Sequence, residues 1–336
     1  MDIRVSVIGA GSWGTTVAAL AARNTPTTLW ARRPELAAQI HSEHENGDYL
    51  PGYRLPDSLR ATSDLEEAVC RADVLVMGVP SHGFRDTLVE VVEHLRPWVP
   101  VLSLAKGLEV GTRRRMSEII QEVAPGHPVG VLTGPNLAKE ILAGHAAASV
   151  IAMDDDNVAG ALQRLFRTDL FRVYTNDDVC GCELGGVLKN VIAIAAGMGD
   201  GLGAGDNTRA AVITRGLNEV TRLGMAMGGR PLTFSGLAGM GDLVATCTSQ
   251  QSRNRHVGEQ LGKGLTIDEV IEQMKMVAEG VKTSRVVIEL ADELGIDLPI
   301  CSEVKAVCHD GHSALEAYRG LLRRDAGHEH DGIEER

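Results

Sequence analysis

Aromatic residues are scarce, with four Phe, four Tyr and three Trp in 336 residues. The cores must therefore be built largely from Val, Leu, Ile, Ala and Met. Positive charge is also in deficit. A formal net charge of −12 argues against general nucleic-acid binding, which needs a basic surface to displace counterions from phosphates. A small anionic ligand is not excluded, because a local cluster of Arg and Lys can oppose the net field. Cys70, Cys180, Cys182, Cys247, Cys301 and Cys308 form no CxxC pair and no repeated spacing, so reduced thiols are expected, not a zinc site or disulfide framework. His41 and His44 have helical spacing but no acidic or cysteine partner pattern, and no metal site is expected. No apolar run reaches the roughly 18 residues needed to span a bilayer. The longest candidate, Val187–Met198, is interrupted by Lys189 and Asn190. The N-terminus enters a strand pattern directly, with no basic leader or cleavage site. The expected location is the cytoplasm.

The chain is long enough for two domains. In its first half, short apolar runs alternate with helical segments: Ile3–Ile8, Thr27–Trp30, Val74–Met77, Val101–Leu104, Val129–Leu132 and Ser149–Met153. Such strands imply a parallel sheet covered on both faces. After about Tyr174, helical periodicity takes over: Glu183–Met198, Thr208–Gly224, Leu243–Gly262, Thr266–Met274, Val281–Leu294 and Ser302–His309. The expected fold is α/β, a Rossmann-like parallel-sheet domain over 1–178 followed by an all-α domain over 179–324. The polar segment 325–336 is expected to be a flexible tail.

The first strand runs into Gly9-Ala-Gly11-Ser-Trp-Gly14 and then a helix. This is GxGxxG in the strand–turn–helix setting that dinucleotide binding requires. Gly9 permits the tight turn, Gly11 lets backbone approach a pyrophosphate, and Gly14 allows helix to pack closely on strand. The helix N-terminus then offers N–H groups to the phosphates. An unliganded glycine turn is the plain alternative. NAD-selective sites usually end the second strand with an acid that accepts from the ribose 2′-hydroxyl; this strand ends Trp30-Ala31-Arg32-Arg33. Two guanidinium groups there suit a 2′-phosphate, which favours NADP and leaves NAD open. The alternative is a solvated helix start.

Further segments narrow the reading: Ser103-Leu-Ala-Lys106-Gly-Leu, Leu132-Thr-Gly134-Pro-Asn136-Leu-Ala138-Lys-Glu, Glu183-Leu-Gly-Gly-Val-Leu-Lys189-Asn190-Val-Ile-Ala-Ile-Ala-Ala-Gly197, and Gly236-Leu-Ala-Gly-Met-Gly-Asp242-Leu followed by Ser252-Arg253-Asn254-Arg255. In this order and spacing they resemble the bacterial NAD(P)-dependent glycerol-3-phosphate dehydrogenases, from Ile3 to about Leu321. The resemblance implies that Lys189 transfers the proton. It puts Gly134, Asn190, Asp242, Ser252, Arg253 and Asn254 around the substrate, with Lys106 between substrate and cofactor. Ser12, Trp13, Arg32, Arg33, Ala138, Arg253, Val277 and Glu279 would lie along NADP or NAD. Asn136 departs from the Ser or Thr that many relatives carry, which leaves its detailed contact open.

Chemistry gives these residues a parallel reading. Lys189 stands among Val187, Leu188, Val191, Ile192 and Ile194, where partial desolvation would lower its pKa toward general acid–base work. A snorkelling lysine at a helix edge is the alternative. Asp242 could N-cap a helix, or hold the Lys189 ammonium or a substrate hydroxyl. If it is helical, Thr246 shares its face four residues on. Arg253-Asn254 supplies a fork of donors and an amide for a phosphate, and Arg255, pointing elsewhere, reads as a surface charge. Lys106 follows an apolar strand at the sheet edge where ligands sit.

The expected reaction is hydride transfer between NAD(P)H and dihydroxyacetone phosphate, giving sn-glycerol 3-phosphate for phospholipid synthesis. Helical dehydrogenase domains often self-associate, so a homodimer is one candidate assembly, though no residue pattern in the sequence fixes it. The alternatives are a hydroxyacid or ketopantoate-type dehydrogenase, or an NAD(P)H-sensing protein without turnover.

Overall fold

Short β-branched runs punctuated by Gly, Pro or Asp become the strands of one sheet in the computed structural model of the chain, which describes residues 3–274, 278–325, 327–329 and 332–333. The chain divides into two compact units, Met1–Val179 and Cys180–Arg336.

In the first unit, strands β1 (Val5–Ile8), β2 (Thr27–Trp30), β3 (Leu59–Thr62), β4 (Val74–Met77), β5 (Val101–Ser103), β6 (Val129–Thr133), β7 (Ala147–Met153) and β8 (Phe171–Asn176) lie in the order β3-β2-β1-β4-β5-β6-β7-β8. Helices α1 (Ser12–Ala22), α2 (Pro34–Glu43), α3 (Leu65–Val69), α4 (Phe84–Val92), α5 (Met116–Val123), α6 (Ala138–Leu142) and α7 (Asp156–Phe166) connect them. Alternate residues serve opposite faces. Val5, Val7 and Val76 join one apolar cluster, while Ile8, Leu75 and Met77 join another. The sheet is parallel as expected except at one pairing, where β7 runs antiparallel to β6. Only the five-residue α6 lies between them, and the chain folds straight back instead of crossing the sheet on a full helix. Strands β3 and β8 were not anticipated. They are the two outer strands, and each exposes polar positions, Arg60 in one and Arg172 in the other, which breaks up the apolar run.

The second unit is helical: α8 (Val179–Gly201), α9 (Asp206–Ala226), α10 (Pro231–Phe234), α11 (Asp242–Thr248), α12 (Arg253–Gly262), α13 (Ile267–Gln273), α14 (Glu279–Leu294), α15 (Pro299–His309) and α16 (Ala314–Leu322). By length and composition α8 could cross a membrane, yet 89% of its apolar window is buried inside the fold. It is the axis of this unit's core. The run expected from Leu243 to Gly262 is two helices, because Ser249 turns extended and Ser252 caps α12, its hydroxyl accepting from Arg255 N at 3.2 Å.

Small residues let α8 and α12 touch backbone to backbone. A Cβ on Gly197 would lie 2.0 Å from the Arg255 carbonyl oxygen, and one on Gly258 would lie 2.0 Å from that of Ile194. Elsewhere, buried Glu219 of α9 accepts from the N–H groups of Ile300 at 2.7 Å and Cys301 at 3.1 Å, closing the first turn of α15. Cys182, Cys247, Cys301 and Cys308 are buried in this unit. Burial pushes the thiols of Cys247 and Cys308 up to about 12, and that of Cys301 well above its ordinary value. In the tail, the Glu329 carbonyl accepts from Arg215 at 2.6 Å and Asn218 at 3.3 Å.

Candidate active site

The glycine turn has the shape its spacing implies. Gly9 has φ +113°, and a Cβ there would lie 2.7 Å from the Gly78 carbonyl oxygen. A Cβ on Gly14 would lie 2.1 Å from Gly9 O, whereas one on Gly11 would meet nothing within 4 Å. Two glycines are thus consumed by the fold, and the third keeps open space in front of the backbone. Gly11 caps α1 without a side-chain hydrogen bond, leaving the first N–H groups of an eleven-residue helix facing that space. Next to it, the Trp13 indole Nε1 is buried with no hydrogen-bond partner among the described residues, and its ring centroid sits 6.4 Å from that of Phe171. The cradle fits a dinucleotide pyrophosphate. Ser12 Oγ lies 3.5 Å from Tyr49 O.

Arg32 and Arg33 are exposed at the end of β2, and Arg33 pairs with Asp48. On the same sheet edge, Lys106 Nζ follows β5 and donates to the Gly134 carbonyl at 2.9 Å. Gly134 has φ +133°, and Ala138 opens α6. Asn136 donates to Ser149 Oγ at 3.2 Å, and its Oδ1 is buried with no partner among the described residues.

In the second unit the chemistry centres on α8. The Gly236–Gly241 stretch winds into a wide turn before α11, and a Cβ on Gly185 would lie 2.6 Å from its Ala238 carbonyl oxygen. This close approach, one helical turn before Lys189, brings Asp242 to the lysine. Lys189 Nζ donates to Asp242 Oδ1 at 2.5 Å and to Thr246 Oγ1 at 2.7 Å. Thr246 donates its own proton to the Asp242 carbonyl at 2.6 Å. The lysine is 6% exposed and the aspartate 1%. The snorkelling alternative is thereby removed, and Asp242 holds the ammonium, its carboxylate offsetting the hydration lost on burial.

One turn of α12 faces the next residue of α8. Asn254 Nδ2 donates to Asn190 Oδ1 at 2.9 Å, and Asn254 Oδ1 accepts from Gly280 N at 3.0 Å. Asn254 therefore joins α8, α12 and the start of α14, where Glu279 sits. Ser252 is buried, Arg253 is exposed at the first position of α12, and Val277 lies outside the described residues. The surface reading of Arg255 is corrected. Its side chain is 15% exposed, and its Nε donates to Asp200 Oδ2 at 2.7 Å. Asp200 also binds Arg209 at 2.6 Å, so one buried carboxylate from α8 aligns α9 and α12. Sequence reading missed Asp200 because its partners lie nine and 55 positions away.

Comparison with known proteins shows the family. The N-terminal family of NAD-dependent glycerol-3-phosphate dehydrogenase matches residues 4–159, and the corresponding C-terminal family matches 178–319. The chain belongs to the NAD-dependent glycerol-3-phosphate dehydrogenase family. A glycerol-3-phosphate dehydrogenase (NAD(P)+) of Sphingopyxis alaskensis is 62% identical over 98% of this chain and 99% of its own length. A Mycobacterium avium protein of the same name is 58% identical over 98% and 97%. The crystal structure of glycerol-3-phosphate dehydrogenase from Coxiella burnetii, 35% identical, superposes with a TM-score of 0.92 over 96% of this chain and 99% of that one. For a glycerol-3-phosphate dehydrogenase family member, NAD or NADP is the expected occupant of the glycine cradle, in keeping with the open space before Gly11.

Proposed function

We propose that this dehydrogenase interconverts dihydroxyacetone phosphate and sn-glycerol 3-phosphate, with Lys189 as the proton-transferring group. The observation that carries the residue assignment is the buried Lys189–Asp242–Thr246 cluster on α8 and α11, one residue from the Asn190–Asn254 pair. A buried ammonium held at two points has a fixed direction, which a proton donor to a carbonyl needs.

When bound, the nicotinamide supplies the hydride that reduces C2 of the ketone. Lys189 gives its proton to the carbonyl oxygen as that oxygen becomes negative, and in the reverse direction it accepts the hydroxyl proton. Asp242 holds the Lys189 nitrogen in place between turnovers, and Thr246 orients it from the other side. Arg253 supplies the planar fork for the substrate phosphate. Asn190 and Asn254 hold the two helices in register behind it, and Lys106 serves the phosphate-bearing ligands from the sheet edge. Gly9, Gly11 and Gly14 shape the cradle, which Ser12, Trp13, Arg32 and Arg33 extend, and we also assign Lys106, Ala138, Arg253, Val277 and Glu279 to the cofactor. Supply of glycerol phosphate to cytoplasmic phospholipid synthesis forms part of the same proposal.

Loss of absorbance at 340 nm with dihydroxyacetone phosphate and NADPH or NADH tests the reaction. Rapid oxidation that requires the substrate phosphate is the expected result. Oxidation of neither dinucleotide, with both still bound, would overturn the substrate and leave the cradle reading intact.

A further inference from the structure

The sequence alone pairs Arg32 and Arg33 with a 2′-phosphate. The fold adds a carboxylate that the strand ending does not reveal. Asp48 reaches Arg33 from the loop after α2, and this ion pair raises the guanidinium pKa above its ordinary value, the hydrogen bond first and the charge second. Arg32, next to it, carries no ion pair among the described residues.

The loop that presents Asp48 is built into the glycine turn. Asn46 is fully buried; its amide donates to Ala10 O at 2.9 Å and Thr15 Oγ1 at 2.8 Å, and its Oδ1 accepts from Tyr49 N at 3.2 Å. Leu50, also fully buried, donates its N–H to Asn46 O at 2.8 Å. Asp48 lies between these two anchors, so its backbone position is set by the same residues that shape the cradle. Both partners of the ion pair are about half exposed, and such a pair adds little to stability. Its importance lies in where it puts a negative charge. The C-terminal end of the second strand is where this fold reads the adenosine ribose.

We propose that Asp48 is a specificity-determining residue that holds this enzyme to use of both NAD and NADP by opposing the 2′-phosphate. Its carboxylate repels that phosphate and occupies the guanidinium the phosphate would take. The uncharged 2′-hydroxyl of NAD feels neither effect. The inference rests on the dinucleotide reading of the cradle.

Calorimetric titration of NADPH and NADH into the natural chain and into Asp48→Asn tests it without turnover. Like charges several ångströms apart in screened solvent correspond to roughly a fivefold change in binding. D48N should therefore tighten NADPH about fivefold while NADH moves by less than about twofold. Measured against R33A, D48N/R33A should still tighten NADPH, but by less than D48N alone, since relieved repulsion remains and the released guanidinium is gone. An unchanged NADPH-to-NADH ratio in D48N would overturn the proposal, as would weaker NADPH binding, which would make Asp48 an orienting partner of Arg33. If neither dinucleotide bound the natural chain, the cradle reading would fall along with the proposal.

Discussion

In the first unit, a Cβ placed on Gly11 would meet nothing within 4 Å, and the residue has φ −71°, a conformation open to any side chain. In the second unit, a Cβ on Gly258 would lie 2.0 Å from the backbone oxygen of Ile194. The first glycine keeps space for a ligand, while the second lets two helices meet. The contrast extends to whole units. The first brings its cradle residues together through one strand–turn–helix, whereas the second assembles Lys189 and Asp242 from positions 53 residues apart.

The sharpest break in this comparison is Lys189→Ala. Turnover should fall by about three orders of magnitude, while titrations show dinucleotide binding unchanged; survival of even a tenth of the activity would remove Lys189 as proton donor. Next in size are the two glycines, tested as a pair. Gly258→Ala should destabilise the chain by about 3 kcal/mol, because the obstacle is backbone, and lower Tm by roughly 6–12 °C. Gly11→Ala should leave Tm almost untouched and weaken dinucleotide binding about tenfold, since the new methyl stands where the pyrophosphate approaches. If the two variants exchanged phenotypes, the division of labour would be wrong.

The smallest expected effect concerns Glu219. Burial outweighs its two backbone donors and raises its carboxyl pKa. Folding then favours the protonated acid. Its contribution is complete below the unfolded value of about 4.3 and is lost as pH rises through the higher folded value. The amide of a Glu219→Gln variant does not titrate, so the Tm of that variant should gain on the natural chain as pH rises above about 4.5. A difference that stays constant with pH would show that Glu219 does not titrate in this way.

Local chemistry was legible and distant chemistry was not. Gly9, Gly11 and Gly14 could be read because each acts through its own backbone. The inner strands were visible as apolar runs, but the outer β3 and β8 were hidden by Arg60 and Arg172. Lys189 stood out as a charge in an apolar helix, although its desolvation is answered by Asp242, a pairing that spacing could leave open but not decide. Arg255 was misread because nothing near it in sequence announces Asp200. Asp48 escaped notice for the same reason, since it reaches Arg33 only through a loop whose fold depends on Asn46.

The buried cysteines of the second unit carry a different consequence. Alkylating agents and oxidants attack the thiolate, and with Cys247 and Cys308 pushed up to about 12 and both shielded from solvent, the closed unit offers them almost none at neutral pH. Reaction at these sulfurs has to wait for the helices to part. Their labelling rate is then an internal clock for how often this unit opens, readable by mass spectrometry with no added probe of shape.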